Sequence, residues 1–246
     1  MGLIIALRRT GDISYFRRYL HRVVSISDVD KILLCSGYIS EGKRYSVLKD
    51  KLWEYICSGG TGKRLNIVTV AGRFRSHTDS YAIKYGDFVQ GIRDRINKAG
   101  LQDWSITPWY AEKRNWHAKI AMSISNGEPL AAIIGSSNLT GPAYGETGSR
   151  GMPSLFNHEC DVVIWKKDTS LDSLFIDGER EDRRERITHI DAFSPILTRL
   201  DESLEQADES KRLKAIYRYI IDEPSLRNYD DWRRESEQRE SGELKE

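Results

Sequence analysis

The sequence predicts an α/β layered domain with a mixed β-sheet flanked by helices, extended at its C-terminus by a charged, mainly helical region. Three observations predict it. Apolar, β-branched runs alternate with stretches of helical periodicity across the first two thirds of the 246 residues, as strands and helices packed in layers do. An Asn126-Gly127 pair separates two apolar runs, which signals a hairpin turn. After Trp165 the texture becomes charge-dense.

In chain order, residues 17–25 are short and mixed and receive no assignment. Lys31–Tyr38 is an apolar run ended by glycine and reads as a buried strand. Residues 44–57 place Tyr45, Leu48, Leu52, Tyr55 and Ile56 at spacings of three and four, until Gly59-Gly60-Thr61-Gly62 stops the pattern, so a helix is expected there. Arg64–Ala71 is a second strand. Residues 79–98 return to helical spacing through Tyr81, Tyr85, Phe88, Ile92 and Ile96. Further strands are expected at Trp104–Trp109, His117–Ser123, Pro129–Ile134 and Glu159–Trp165, with His117–Ile134 forming two antiparallel strands joined at Asn126-Gly127. Beyond Lys166, Asp177–Arg186 is almost all charged. Leu197, Leu200, Leu204, Leu213, Ile216, Tyr217 and Ile220 then mark helix between Ile196 and Ile221, broken into two around 206–212. From Ser225 the chain is polar and is expected to be disordered. The organisation is therefore a domain at 1–165 and an extension at 166–246, without internal repeats.

Composition limits the classes of function. A hydrophobic content of 39% with 30% charged residues is that of a globular protein. No run approaches the roughly 18 apolar residues of a membrane helix. The Leu3–Leu7 run is too short for a signal sequence and Ala6 excludes a myristoylation site, so a cytoplasmic location is expected. Cys35, Cys57 and Cys160 lack metal-ligand spacing and lie in apolar runs, which argues against disulfides and structural zinc and for buried thiols. The net charge of +1 conceals an asymmetry: residues 1–165 hold 22 Lys+Arg against 15 Asp+Glu, whereas 166–246 hold 16 against 22. Only the first part suits a polyanion.

The chemistry-bearing residues lie in three segments. Residues two apart on a strand share a face, so His117 and Lys119 would present an imidazole and an ammonium together, a pairing suited to phosphate. Gly135-Ser136-Ser137-Asn138 ends the paired strand with a turn whose Ser and Asn side chains can donate to phosphoryl oxygens. Glu159 opens the next strand. A carboxylate on one ring nitrogen of His117 would hold the tautomer that leaves the other nitrogen nucleophilic. Asp161 and His158 flank Glu159 and are read as structural residues on the opposite strand face.

His117-x-Lys119, Gly135-Ser136-x-Asn138 and Glu159 together resemble the HKD signature of the phospholipase D superfamily, in particular its single-motif nuclease and restriction-endonuclease members. The resemblance is specific over about 104–165 and consistent in strand order over 30–165. It implies a phospholipase D-like layered domain. It also implies that His117 is nucleophile or acid, that Lys119, Ser136 and Asn138 clamp phosphate, and that Glu159 orients the histidine, with no metal and no cofactor. The aspartate usual in the family falls here on Ile124, and the interval from Lys119 to Gly135 is longer than usual, which reads as a longer hairpin around Asn126.

Family chemistry uses two histidines, one to attack phosphorus and one to protonate the leaving oxygen. None of His21, His77, His158 and His189 begins a second His-x-Lys. The resemblance therefore implies a homodimer that brings two copies of His117 together across a two-fold axis, acting as a nuclease on DNA or RNA through a phosphohistidine. Arg73 and Arg75, after the second strand, and Lys113 and Arg114, before His117, are candidates for holding a nucleic-acid backbone, or are solvated loops. Trp104, Trp109, Tyr110 and Trp116 serve either the core and its rim or base stacking. Two other readings stand: a catalytically silent HKD module for binding or assembly, and a phosphodiesterase acting on another substrate such as phospholipid. The C-terminal region could cover a dimer edge, cap the cleft, or dock a partner such as a helicase-like or DNA-specificity protein.

Overall fold

The computed structural model describes residues 2–8, 14–39, 41, 46–60, 64–72, 77–111, 116–145, 159–176, 214, 217–218, 220–222 and 226–241. The strands are β1 (Gly2–Arg8), β2 (Lys31–Cys35), β3 (Leu65–Ala71), β4 (Trp104–Ala111), β5 (Lys119–Ser125), β6 (Glu128–Gly135), β7 (Glu159–Trp165) and β8 (Leu226–Asn228). They form one mixed sheet in the order β1-β7-β6-β5-β2-β3-β4-β8. β2, β3 and β4 run parallel, and every other neighbouring pair is antiparallel. The carboxyl ends of β2, β3 and β6 and the amino ends of β5 and β7 therefore share one edge of the sheet. In a sheet with parallel strands that edge is where ligands usually bind. The expected mixed sheet flanked by helices is what the chain adopts.

One face of the sheet packs its odd-numbered β5–β7 residues, such as Ala121, Ile133, Val163 and Trp165, against the helices. These are α1 (Tyr15–Val24), α2 (Trp53–Gly60), α3 (Ser80–Lys98), α4 (Gly141–Tyr144) and α5 (Thr169–Ile176). The other face carries Leu33, Val68, Val70, Met122, Ile124 and Ala132, and Tyr217 and Ile220 pack onto it. No described helix is long and apolar enough to cross a membrane.

Several elements depart from expectation. α1 was obscured because Arg17, Arg18, His21 and Arg22 interrupt the apolar letters, yet Phe16, Tyr19, Leu20, Val23 and Val24 form a buried helical stripe. The Ser14 side chain caps this helix by accepting from the Arg17 N–H at 3.2 Å. The Leu3–Leu7 run is part of the edge strand β1, paired along its length with β7. The helix expected at 44–57 is a short π-helical stretch, Leu48–Leu52, followed by α2. Asn126 (φ 52) and Gly127 (φ 77) make the predicted two-residue turn, with Ser125 opposite Glu128. A register shift after Ser123 pairs Ile124 with Pro129, a bulge that accommodates a proline lacking an N–H. Ile124 is fully buried among the apolar residues of the second face.

The chain after Ser225 is ordered through residue 241, contrary to the expected disorder. β8 pairs with β4, and α6 (Tyr229–Glu240) follows. The Asn228 side chain caps α6 by accepting from the N–H groups of Asp230 (3.0 Å) and Asp231 (3.3 Å). Two aromatics then anchor a polar helix. Tyr229 packs on Tyr85 at 4.7 Å and donates to the Ala82 carbonyl at 2.9 Å, and Trp232 packs on Tyr110 at 4.4 Å. The charged stretch at 177–186 and the first of the two expected C-terminal helices lie outside the described residues. Lys214, Tyr217, Arg218, Ile220 and Ile221 are helical.

Cys35 is buried as expected, but Cys160 is exposed, because it alternates with Glu159 and Asp161 onto the open face of the sheet.

Candidate active site

Sheet register assembles the site. Lys119, the first residue of β5, pairs with Gly135, the last of β6, and Gly135 pairs with Asp161 of β7. Directly paired residues share a face, so Lys119 and Asp161 stand on the same face with only a glycine between them. Lys119 is 5% exposed, so its ammonium is largely removed from water, where its interaction with an anion is stronger.

The β6–β7 pairing runs one residue past the strand, with the Ser136 N–H donating to the Cys160 carbonyl at 3.1 Å. The Ser136 hydroxyl donates to Glu159 Oε2 and accepts from the Cys160 N–H at 3.0 Å. Ser137 turns inward: its N–H and its Oγ donate to the two oxygens of Asp161 at 3.2 and 2.6 Å. Ser136 is exposed and Ser137 is buried, so alternate side chains of this turn face solvent and core.

Asn138 is oriented by the loop that follows β2. Its Oδ1 accepts from the Tyr38 N–H and from the Ser36 hydroxyl, both at 3.3 Å. Because the Tyr38 N–H can only donate, the amide oxygen is fixed on that side and the NH2 group is turned the other way. Ser36 Oγ also accepts from the Leu139 N–H at 3.1 Å, and Ile39 bridges Leu139 in parallel. A Cβ on Gly37 would stand 2.9 Å from the Trp116 carbonyl and 3.7 Å from both Asn138 Oδ1 and His117 Cδ2. The missing side chain lets the loop after β2 come close to the Trp116 carbonyl, just before His117.

The loop after Asn138 is pinned to α1. Ser14 Oγ donates to the Ala143 carbonyl at 2.9 Å, and His21 Nε2 meets Tyr144 Oη at 2.5 Å. Burial, with the charges of Arg17 and Lys51, pushes the His21 pKa down to about 3. The imidazole is therefore neutral and serves as a structural hydrogen-bonding group.

His117, Lys119, Ser136, Asn138 and Glu159 thus lie at one edge of the sheet. Arg73, Arg75, Lys113, Arg114 and His158 fall outside the described residues. Of the aromatics, Trp104, Tyr110 and Trp116 are buried and Trp109 is half-buried. Asp161 is not on the face opposite Glu159. Two residues apart on a strand, both point to the same face, and Asp161 is 2% exposed. Sequence reasoning missed Asp161, Ser36 and Gly37 as site residues. Only the two-residue spacing of Asp161 from Glu159 carried a usable signal. Burial is the main reason that the Asp161 carboxyl is pushed up to about 6, and Glu159 adds to it, against the lowering effect of the Ser137 hydrogen bonds.

No protein-family model matches the chain and no curated protein matches it. Solved structures similar to it include polyphosphate kinase from Porphyromonas gingivalis (TM-score 0.38, 16% identity, 69% of this chain and 24% of that one). NucT from Helicobacter pylori is similar at TM-score 0.34 and 11% identity, over 66% of this chain and 85% of that one. Phosphatidylserine synthase from Haemophilus influenzae Rd KW20 is similar at TM-score 0.43 and 8% identity, over 86% of this chain and 47% of that one. The chain spans about a quarter of the polyphosphate kinase and about half of the synthase.

Proposed function

We propose that this protein is a metal-independent phosphodiesterase of the phospholipase D type, a nuclease whose active site is shared by two copies of the chain. The observation that supports it is the convergence at one sheet edge of an exposed imidazole, a buried ammonium and a donor-bearing turn. Strand register places the ammonium beside the end of β6, hydrogen bonds to Tyr38 and Glu159 orient the turn, and the imidazole stands two residues before β5.

In this reading a ring nitrogen of His117 attacks phosphorus, forming a P–N bond as the ester P–O bond breaks, and the partner subunit's His117 protonates the departing oxygen. That second imidazole then removes a proton from water, which attacks phosphorus, breaks the P–N bond and regenerates His117. Charge developing on the phosphoryl oxygens is met by Lys119, Ser136 and the Asn138 amide. An oxygen arriving beside Ser136 competes for the hydroxyl that now goes to Glu159. The carboxylate released in this way can accept the His117 ring N–H and hold the reactive tautomer. The positive balance of residues 1–165 favours a nucleic-acid substrate over a lipid.

The test is incubation of the purified chain with single- and double-stranded DNA, RNA and a model phosphodiester in EDTA. Cleavage should persist in EDTA and vanish in His117→Ala. Adding His117→Ala chains under subunit exchange should poison the wild type. A strict requirement for magnesium, or turnover by His117→Ala, would overturn the mechanism, and activity of a strict monomer would overturn the shared site.

A further inference from the structure

We propose that Asp161 is the positioning residue of the anion-binding turn: its buried carboxylate holds Ser137 inward so that Ser136 and Asn138 face outward together. The inference rests on the proposed phosphate clamp and adds a residue to it.

Three observations carry it. Both hydrogens that Ser137 can give, N–H and Oγ–H, go to Asp161, and Ser137 is the residue between the two outward donors. Rotation of Ser137 would swing Ser136 and Asn138 with it. Second, a Cβ on Gly135 would lie 2.1 Å from Asp161 Oδ1 and 2.5 Å from the Cys160 carbonyl. The carboxylate therefore occupies the space that any side chain at 135 would take. Third, that space opens toward Lys119, the partner of Gly135 across the next strand pair. One strand spacing is about 4.8 Å, so the negative charge of Asp161 acts on the anion that Lys119 attracts.

The carboxylate thus has two separable effects. Its hydrogen bonds build the turn, which favours anion binding. Its charge opposes the anion, so anion binding is linked to protonation of Asp161. Among the described residues, the charged or titratable groups near it are Lys119 from β5 and Glu159 and Cys160 from β7; the β1 residue paired with it is Ala6, which carries no charge.

Sulfate is a suitable probe because it does not titrate near neutrality. Calorimetric binding to the full chain should be compared for wild type, Asp161→Asn and Asp161→Ala, each also in a His117→Gln background so that the imidazole titration drops out. Wild-type affinity should fall as pH rises through about 6. Asp161→Asn keeps an oxygen for the Ser137 N–H and loses the charge; it should bind sulfate more tightly than wild type above that pH, with the pH dependence flattened. Asp161→Ala, which leaves the turn unanchored and also lacks the charge, should bind roughly tenfold more weakly than wild type below that pH, with the pH dependence likewise flattened. A merely structural role would weaken both variants. Should Asp161→Ala not fold, Ser137→Ala removes the same hydroxyl donor and should also weaken binding. Sulfate binding to Asp161→Asn and to either alanine variant that matches wild type would overturn the role of Asp161 and leave the clamp standing. Failure of the wild type to bind sulfate would overturn the clamp and this proposal with it.

Discussion

Replacing His21 by Gln should alter how the protein responds to acid, and the direction follows from the native hydrogen bonding. His21 titrates near 6.5 when unfolded and near 3 in the native state. Between these values the unfolded chain holds a proton that the native chain does not, so stability is present above pH 6.5 and is lost as pH falls toward 3. At pH 5 the loss is about 2 kcal/mol, a substantial part of a typical total of roughly 5–15 kcal/mol. Asp161 acts in the opposite sense. Its native pKa is raised from 3.8 to about 6, so the native chain holds the extra proton and stability is gained as pH falls through that window. Glu41, also raised by burial, adds to the gain. In the wild type the effects offset each other, and stability should change little between pH 7.5 and 5. Glutamine at 21 can still hydrogen-bond to the Tyr144 hydroxyl but cannot titrate, so the gain is unmasked. The assay is urea unfolding followed by tryptophan fluorescence at several pH values. The midpoint of the variant should rise relative to wild type by about 1 M urea between pH 7.5 and 5. A separation between the two midpoints that stays constant over that range would refute a neutral buried His21.

Two further substitutions test the packing that carries the site. Trp232→Ala should cost about 3–5 kcal/mol in urea unfolding, because the indole is 8% exposed against Tyr110 and Tyr229 and anchors α6 to the sheet; a loss below 1 kcal/mol would mean that α6 is not docked. Gly135→Ala forces a methyl into the Asp161 carboxylate and should destabilise by roughly 1–3 kcal/mol while abolishing sulfate binding. Unchanged binding in that variant would place the anion elsewhere.

Much of the sheet is legible in the sequence because its signals are local. β3, β6 and β7 are mainly apolar runs bounded by glycine or charge, and the Asn126-Gly127 turn needs only two residues with positive φ. The grouping of the candidate residues is legible too, since His117-x-Lys119 and Gly135-Ser136-x-Asn138 are short patterns at the adjoining ends of the neighbouring strands β5 and β6. What the sequence could not reveal depends on partners far along the chain. β1 is a strand because β7, some 160 residues later, supplies its hydrogen bonds. α6 is polar over most of its surface and folds because Tyr229 and Trp232 find Tyr85 and Tyr110. Ser36 reads as one more small polar residue after a strand until the fold places it 3.3 Å from Asn138. Asp161 shows the division most clearly. Its two-residue spacing from Glu159 already implies a shared face, but its burial, its hold on Ser137 and its raised pKa arise only when β6 closes over it, because desolvation and hydrogen-bond satisfaction belong to the packed structure.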